Sequence, residues 1–428
     1  MTKRFLKLAS AAGTVLCIAL TANSSHAQTY TLSRTFLSPT PGNTGNGERF
    51  GYSVDISENR LLIGEPGDDT GAEDSGIAYL FDANTGGLLQ TFLNPEPEFQ
   101  DFFGLSVLIS GDRVIIGNPA DDSPEEGDGG KAYLFDANTG GLLQTFLNPN
   151  PAYNDIFGYS IAFSNDRVLI GAPGDDIGSE NSGAAYLFDA NTGNLLRTFF
   201  NPTPSTIDDN FGNSVALVDN QVLIGAPGNN YSGAAYLFDA NTGSLLQTFL
   251  DPMPPGVASS VGRDVALSGN RALISGTYSD AAYLFDITTG SLLQTFLHPN
   301  PEDRGFFGGS IALSDNYALI GDASDFTAAD YSGAAYLFDT TTGNLLQTFL
   351  HPNPVEFEGF GNSVALFGNR LLIGALDDRV AGQYGTGAAY LYELTSPTEV
   401  PEPGMLIGLA AVGLSGLLYK RHHASNRA

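Results

Sequence analysis

The 428-residue chain carries 47 acidic against 18 basic side chains, a formal net charge of −29, and an excess of that size repels phosphate backbones and excludes a nucleic-acid-binding role. Its hydrophobic fraction of 42% allows a packed core, and 52 glycines with 23 prolines suit short strands joined by turns. The single cysteine, Cys17, lies near the start of the chain, so the body has neither a disulfide nor thiol chemistry.

Read from the start, Lys3 and Arg4 precede an apolar run through Leu20, and Ser25-His26-Ala27 follows. A basic flank, an apolar stretch and a small-x-small site predict a secretory signal over 1–27, cut after Ala27. From Phe50 onward the chain repeats itself. A Phe-Gly pair opens units at Phe50, Phe103, Phe157, Phe211, Phe307 and Phe360, with Val261-Gly262 standing in for the fifth. Tyr-Leu-Phe-Asp recurs at Tyr79, Tyr133, Tyr186, Tyr236, Tyr283 and Tyr336, and Tyr390-Leu391-Tyr392-Glu393 makes a seventh. Periods of about 46–54 residues point to propeller blades or solenoid arrays.

Each unit holds four strand-like runs. In the third these are Tyr159–Phe163, Arg167–Ile170, Ala184–Phe188 and Leu195–Phe200, with Asp189-Ala190-Asn191-Thr192-Gly193 turning between the last two. Four strands per unit is the blade count of a propeller. The seventh unit stops after its third strand, and the missing piece stands at the other end. Leu32-Ser33-Arg34-Thr35-Phe36 matches Leu195-Leu196-Arg197-Thr198-Phe199. The expected fold is therefore all-β, a seven-bladed β-propeller over 28–396 closed by an N-terminal strand, since a ring removes the free edges that an open stack would leave.

After the propeller, Val400-Pro401-Glu402-Pro403 leads into the apolar run 404–419 and then Lys420-Arg421. This segment, 397–428, resembles the PEP-CTERM sorting tail. The resemblance implies a bacterial envelope protein handled by an exosortase-type enzyme that cuts near 401–403. The apolar run predicts a short membrane helix, held by the basic end on the inner side. An ordinary C-terminal anchor is the alternative, and both place the body outside the cytoplasm, at the cell surface or beyond it.

Phe157-Gly158 through Gly171-Ala172-Pro173, and Phe211-Gly212 through Gly225-Ala226-Pro227, resemble FG-GAP repeats, the blades of the integrin-α-type propeller. Blades of that family often carry a calcium loop between the two motifs. Here tight turns such as Ser164-Asn165-Asp166 replace it, too short to supply the six or more oxygens Ca²⁺ takes. Asp-Ala-Asn-Thr-Gly-x-Leu-Leu also resembles the quinoprotein repeat, but Gln90, Gln144, Gln247, Gln294 and Gln347 stand where that repeat has tryptophan. A quinone-dependent dehydrogenase is thereby discounted.

Acids gather in the loops after the second and fourth strands. Asp68-Asp69, Asp121-Asp122, Asp175-Asp176 and Asp377-Asp378 are candidate cation-binding pairs, and weak Ca²⁺ binding is the one cofactor expectation. The competing reading is a solvated acidic rim. Arg60, Arg113, Arg167, Arg271 and Arg370 mark the opposite face. His298 and His351 share one repeat position and read as loop residues, and no nucleophile elbow is present. The expected role is a non-catalytic binding or structural module whose partner is an extracellular polysaccharide or a surface protein. The alternative is an exported hydrolase or oxidoreductase using the channel, which a channel residue unique to one blade would favour.

Overall fold

The structure is a computed structural model that describes residues 29–40, 47–120, 122–123, 127–177, 179–204, 208–229, 232–253, 259–300, 305–379 and 385–395. The predicted leader with Ala27, the tail with Val400, Pro401, Glu402, Pro403 and the run 404–419, and Asp121 lie outside these residues, as do the side chains of 122–128. Tyr30–Leu394 forms one compact unit. Thr29 and Thr395 are the described residues of the second unit, which comprises the two ends of the chain. Among the described residues no helix is long and apolar enough to cross a membrane.

Seven four-stranded sheets follow one another along the chain. In the third, Ser160–Ser164, Arg167–Ala172, Ala184–Asp189 and Leu195–Phe200 pair antiparallel in sequence order. The second and third strands are buried along nearly their whole length, as expected of strands covered on both faces by neighbouring blades. The fourth turns its two leading leucines to solvent and buries a phenylalanine. Asp189 fixes the hairpin before it by accepting from the Thr192 amide and hydroxyl, both at 2.8 Å, while Gly193 takes φ +71°. The same device recurs at Asp82, Asp136, Asp239, Asp286 and Asp339.

The apolar core sits between blades. One cluster joins Leu169, Leu187 and Phe199 of the third blade to Phe211, Val222 and Tyr236 of the fourth. At six of the seven joints a Phe-Gly phenylalanine packs against the tyrosine of its own third strand, as Phe157 does at 5.8 Å from Tyr186 and also at 6.0 Å from Phe188, and Val261 takes its place in the fifth blade. The preceding blade's fourth strand adds one more ring, Phe146, 5.3 Å from Phe188.

The two glycine motifs explain each other. Gly212 adopts φ +95°, and a Cβ there would lie 2.3 Å from the Ala184 carbonyl. A Cβ at Gly171, in the preceding blade's second strand, would lie 2.0 Å from the Gly212 carbonyl. Each Phe-Gly glycine thus presses its backbone against the second-strand glycine of the blade before it. Between the fifth and sixth blades Ser275 takes the second-strand position, and a Cβ at Gly308 would meet the Ser275 Cβ at 2.8 Å.

The ring closes as the repeat mismatch predicts. Thr29–Phe36 joins Ala388–Thr395 in the seventh sheet. Phe36 lies 5.1 Å from Phe81, the place Phe146 holds two joints later. A Cβ at Gly374 would lie 2.1 Å from the Gly51 carbonyl, so the glycine contact also spans the closure. Tyr30 packs in the cluster between sixth and seventh blades, and Gln347 brackets its backbone, accepting from the amide at 2.9 Å and donating to the carbonyl at 2.7 Å.

The repeat glutamines have a parallel task. Gln90 and Gln294 donate to the Asn138 and Thr341 carbonyls in the next blade's hairpin, at 2.7 and 2.8 Å. The arginines of the opposite face work the same way. Arg60 reaches Asp112 and Asn138, Arg113 reaches Asn191, Arg271 reaches Thr340, and Arg370 reaches Asn59 and Asn84 across the closure.

Candidate functional site

First strands line a central cavity of about 380 Å³. Its wall is layered. One ring is Val54, Val107, Ile161, Val215, Val265, Ile311 and Val364, β-branched throughout. The next is serine except for Asp264: Ser53, Ser106, Ser160, Ser214, Ser310 and Ser363. These side chains bond blade to blade. Val54, Val265 and Val364 donate their amides to Ser363, Ser214 and Ser310, at 3.0, 3.1 and 3.1 Å. The third ring is Tyr52, Leu105, Tyr159, Asn213, Arg263, Gly309 and Asn362. Near-identical blades therefore differ most where the cavity wall is richest in exposed and half-buried polar groups.

Arg263 is an exposed cation in a body rich in acid, and its Nη1 reaches Asn213 Oδ1 at 3.4 Å. Asp264 beside it is committed to the fold. Its Oδ1 accepts from Ser214 at 2.7 Å and from the Val265 amide at 2.9 Å, and its Oδ2 from the Ile311 amide at 2.8 Å. Asp55, a channel-strand acid of the first blade, likewise accepts from the Ile109 and Ile56 amides, and burial pushes its pKa up to about 7.

A second feature recurs at the blade joints and was not legible as such in the sequence. The third-strand tyrosine points its hydroxyl into a buried polar node. In the third blade Tyr186 donates to Asp175, whose other oxygen accepts from the Ile177 amide at 2.9 Å. Beside them Asn148, from the preceding fourth strand, donates to the linker acid Asp155 at 2.7 Å. Asn94 with Asp101 and Asn201 with Asp209 repeat the amide–acid pair, at 2.6 and 2.9 Å.

The candidate aspartate pairs are accordingly split. Asp68 and Asp175 are buried, whereas Asp69 and Asp176 face solvent and cap their own loops through the Asp74 and Asn181 amides. In the seventh blade the order is reversed, with Asp378 buried and Asp377 half-buried. A solvated rim therefore does not describe the first aspartate of the early pairs, because a tyrosine node or a tight loop draws it inward.

His298 and His351 replace the node asparagine in the joints between the fifth and sixth and between the sixth and seventh blades. They lie in loops, as their repeat position suggested, but they are buried, because that position points into the core. His351 lies between two acids, with Nδ1 2.9 Å from Glu358 and Nε2 3.2 Å from Asp378. Tyr390 also donates to Asp378. Burial pulls the imidazole pKa down, but the Asp378 hydrogen bond and the charges of Asp378 and Glu358 outweigh it and hold it above the ordinary value. Burial pushes the Glu358 carboxyl up as well. His298 lies 3.0 Å from Asp325 and 3.6 Å from Asp322. Among the described residues these two sets are the clusters able to present three ligand atoms to one ion. They include Asp378 but none of Asp68, Asp69, Asp175 or Asp176.

The His351 node makes stability depend on pH. A group whose folded pKa is raised stabilises fully below its unfolded pKa, and loses that contribution as pH rises through the folded value. Stability is expected to fall between pH 6 and pH 9, by about 1.4 kcal/mol per unit by which folding raises the pKa. His351→Asn restores the amide used in other nodes. It is expected to cost about 2 kcal/mol at pH 6 and to flatten the difference from wild type toward pH 9. Urea melts at pH 6, 7.5 and 9 measure this, and parallel profiles for the two proteins would remove the imidazolium from the account.

Compared with models of known protein families, residues 40–81, 90–135, 144–188, 206–238 and 352–392 match the FG-GAP repeat. The stretch between the last two matches holds the blade with Val261 and Ser275 and the blade with His298 and Asp322. A search of curated proteins returned no match.

Proposed function

Because the chain carries FG-GAP repeats folded as a seven-bladed β-propeller, we propose that it is an exported, non-catalytic binding module of a bacterial cell surface or matrix, engaging a hydroxyl-rich, carboxylate-bearing polysaccharide at the channel mouth. The observation that carries this reading is the variable ring. Blades that repeat the serine and valine layers almost without change diverge at Tyr52, Tyr159, Asn213, Arg263 and Asn362. Aromatic faces, amides and one guanidinium are the groups that hold sugar rings, hydroxyls and carboxylates.

The leader and the Val400-Pro401-Glu402-Pro403 tail support export followed by processing through an exosortase-type enzyme. Arg263 and Asp264 are channel residues unique to one blade, the feature that would favour an enzyme. Yet both oxygens of Asp264 are occupied by hydrogen bonds that hold adjacent first strands together, which leaves no general base beside the guanidinium.

The test is a titration of uronate-containing and neutral glycans into the purified protein, with and without calcium. Arg263→Ala is expected to weaken uronate-glycan binding at least about tenfold, the value of one charge-assisted contact. Equal affinity in wild type and variant, or hydrolysis of the glycan, would overturn the reading.

A further inference from the structure

The two histidine nodes contain the same residue types, yet a proton completes one and not the other. In the seventh blade a doubly protonated imidazole has one N–H for each acid, Nδ1 toward Glu358 and Nε2 toward Asp378. In the sixth blade Nδ1 lies 2.7 Å from the Asn300 carbonyl oxygen and 3.1 Å from the Asn300 amide nitrogen, and the shorter contact is made with a proton on Nδ1. Both carboxylates then face Nε2 alone. One N–H can serve Asp325 at 3.0 Å, but Asp322 Oδ2, 3.6 Å away, is fully buried and receives no hydrogen bond. Its partner oxygen Oδ1 is already taken by the Phe306 and Ser324 amides, at 2.9 and 3.0 Å. A protonated node would keep one unsatisfied buried oxygen, Asp322 Oδ2.

Two departures from the repeat create this arrangement together. Five other units place an acid two residues before the Phe-Gly phenylalanine, Glu48, Asp101, Asp155, Asp209 and Glu358, and the fifth has Ser259 before Val261. Here that position is Gly305, and a Cβ on it would lie 2.3 Å from Asp322 Oδ2. Asp322 stands where Ala172, Ala226 and Ala375 stand in other blades, with Glu65 and Asn118 in the first two and Gly276 in the fifth, and it fills the space Gly305 vacates. The carboxylate has thus moved from the linker onto the second strand, beside the imidazole.

We propose that His298, Asp322 and Asp325 form a structural site for a divalent transition-metal ion of the zinc class, with the Tyr336 hydroxyl holding Asp325 in place by donating to it. Nε2 is 3.0 Å from Asp325 and 3.6 Å from Asp322. Bonds of about 2.0–2.2 Å in a tetrahedral site put donor atoms roughly 3.3–3.6 Å apart. One neutral imidazole, two carboxylates and one divalent cation sum to zero charge, and the cation satisfies the orphaned oxygen. The Nδ1–H to carbonyl bond is the outer support that metal-binding histidines use to present Nε2. A nitrogen donor and only three protein ligands favour zinc over Ca²⁺, which takes six to eight oxygens.

The full chain, stripped with chelator, is to be incubated with Zn²⁺ or with Ca²⁺, passed through gel filtration and assayed for bound metal and melting temperature. Wild type is expected to retain about one equivalent of zinc more than His298→Asn or Asp322→Asn, and to melt higher with zinc. The His351→Asn variant is expected to keep that equivalent, which separates this node from its neighbour and from histidines elsewhere in the chain. His298→Asn uses the amide of other nodes, and an unchanged circular dichroism spectrum in chelator confirms that it folds. No zinc retained above the His298→Asn level, or equal retention of calcium, would overturn the site.

Discussion

Deleting Thr29–Phe36 is expected to abolish the folded ring, and moving the same strand to follow Glu393 through an Ala-Asn-Thr-Gly turn is expected to restore it. The strand contributes two buried aromatic rings to two different joints, Tyr30 between sixth and seventh blades and Phe36 between seventh and first. Removing a buried aromatic side chain costs about 3–5 kcal/mol, so the pair approaches the whole stability of an ordinary domain. The deletion also exposes the edge of Ala388–Thr395 and removes the Ser33 hydroxyl that donates to the Glu393 carboxylate at 2.8 Å. The permuted chain keeps every one of these contacts and only changes where the polypeptide is cut. Circular dichroism and gel filtration of both proteins decide the matter. A deletion variant that still melts cooperatively within a few degrees of wild type would show that the ring does not depend on the strand.

Gly171→Ala is expected to destabilise by about 3 kcal/mol or more, the upper range for forcing atoms into a packed site. Its Cβ would sit 2.0 Å from the Gly212 carbonyl and 2.3 Å from Ser160 Oγ. Neither is the free end of a flexible chain. Gly212 is itself pinned at positive φ, and its amide donates to the Gly225 carbonyl of its own blade at 2.9 Å. The strain must therefore be taken up by separating two blades. Gly141→Ala is the control, since its Cβ would meet nothing closer than Thr139 Oγ1 at 3.3 Å. It is expected to stay within about 0.5 kcal/mol of wild type. Similar denaturation midpoints for the two variants would refute the contact as a steric constraint.

Sequence periodicity revealed the architecture because every blade reuses the same apolar pattern, and because Leu32–Phe36 copies Leu195–Phe199 at the opposite end of the chain. The polar interior was hidden for a physical reason. An aspartate in a Gly-Asp-Asp loop reads as solvated, and only the fold shows that Tyr186 turns its hydroxyl toward Asp175. A signal was nonetheless present: histidine replaced asparagine at one repeat position, and Gly305 and Asp322 both departed from the pattern in one blade. Those departures gain meaning only when the linker and the second strand are known to touch. Arg263 was equally visible as a letter, but the ring it belongs to is assembled from all seven blades and has no linear trace.

The closing strand also constrains when the molecule can finish folding. Its partner in the seventh sheet ends at Thr395, more than three hundred residues downstream, and a contact so distant in sequence forms late and slowly. A chain emerging from its N-terminus must carry that first segment unpaired until almost all of the blades exist. Completion of the circle thus becomes a checkpoint on the intact polypeptide: a product truncated anywhere before the last hairpin has no way to seal, and is left as a substrate for proteases.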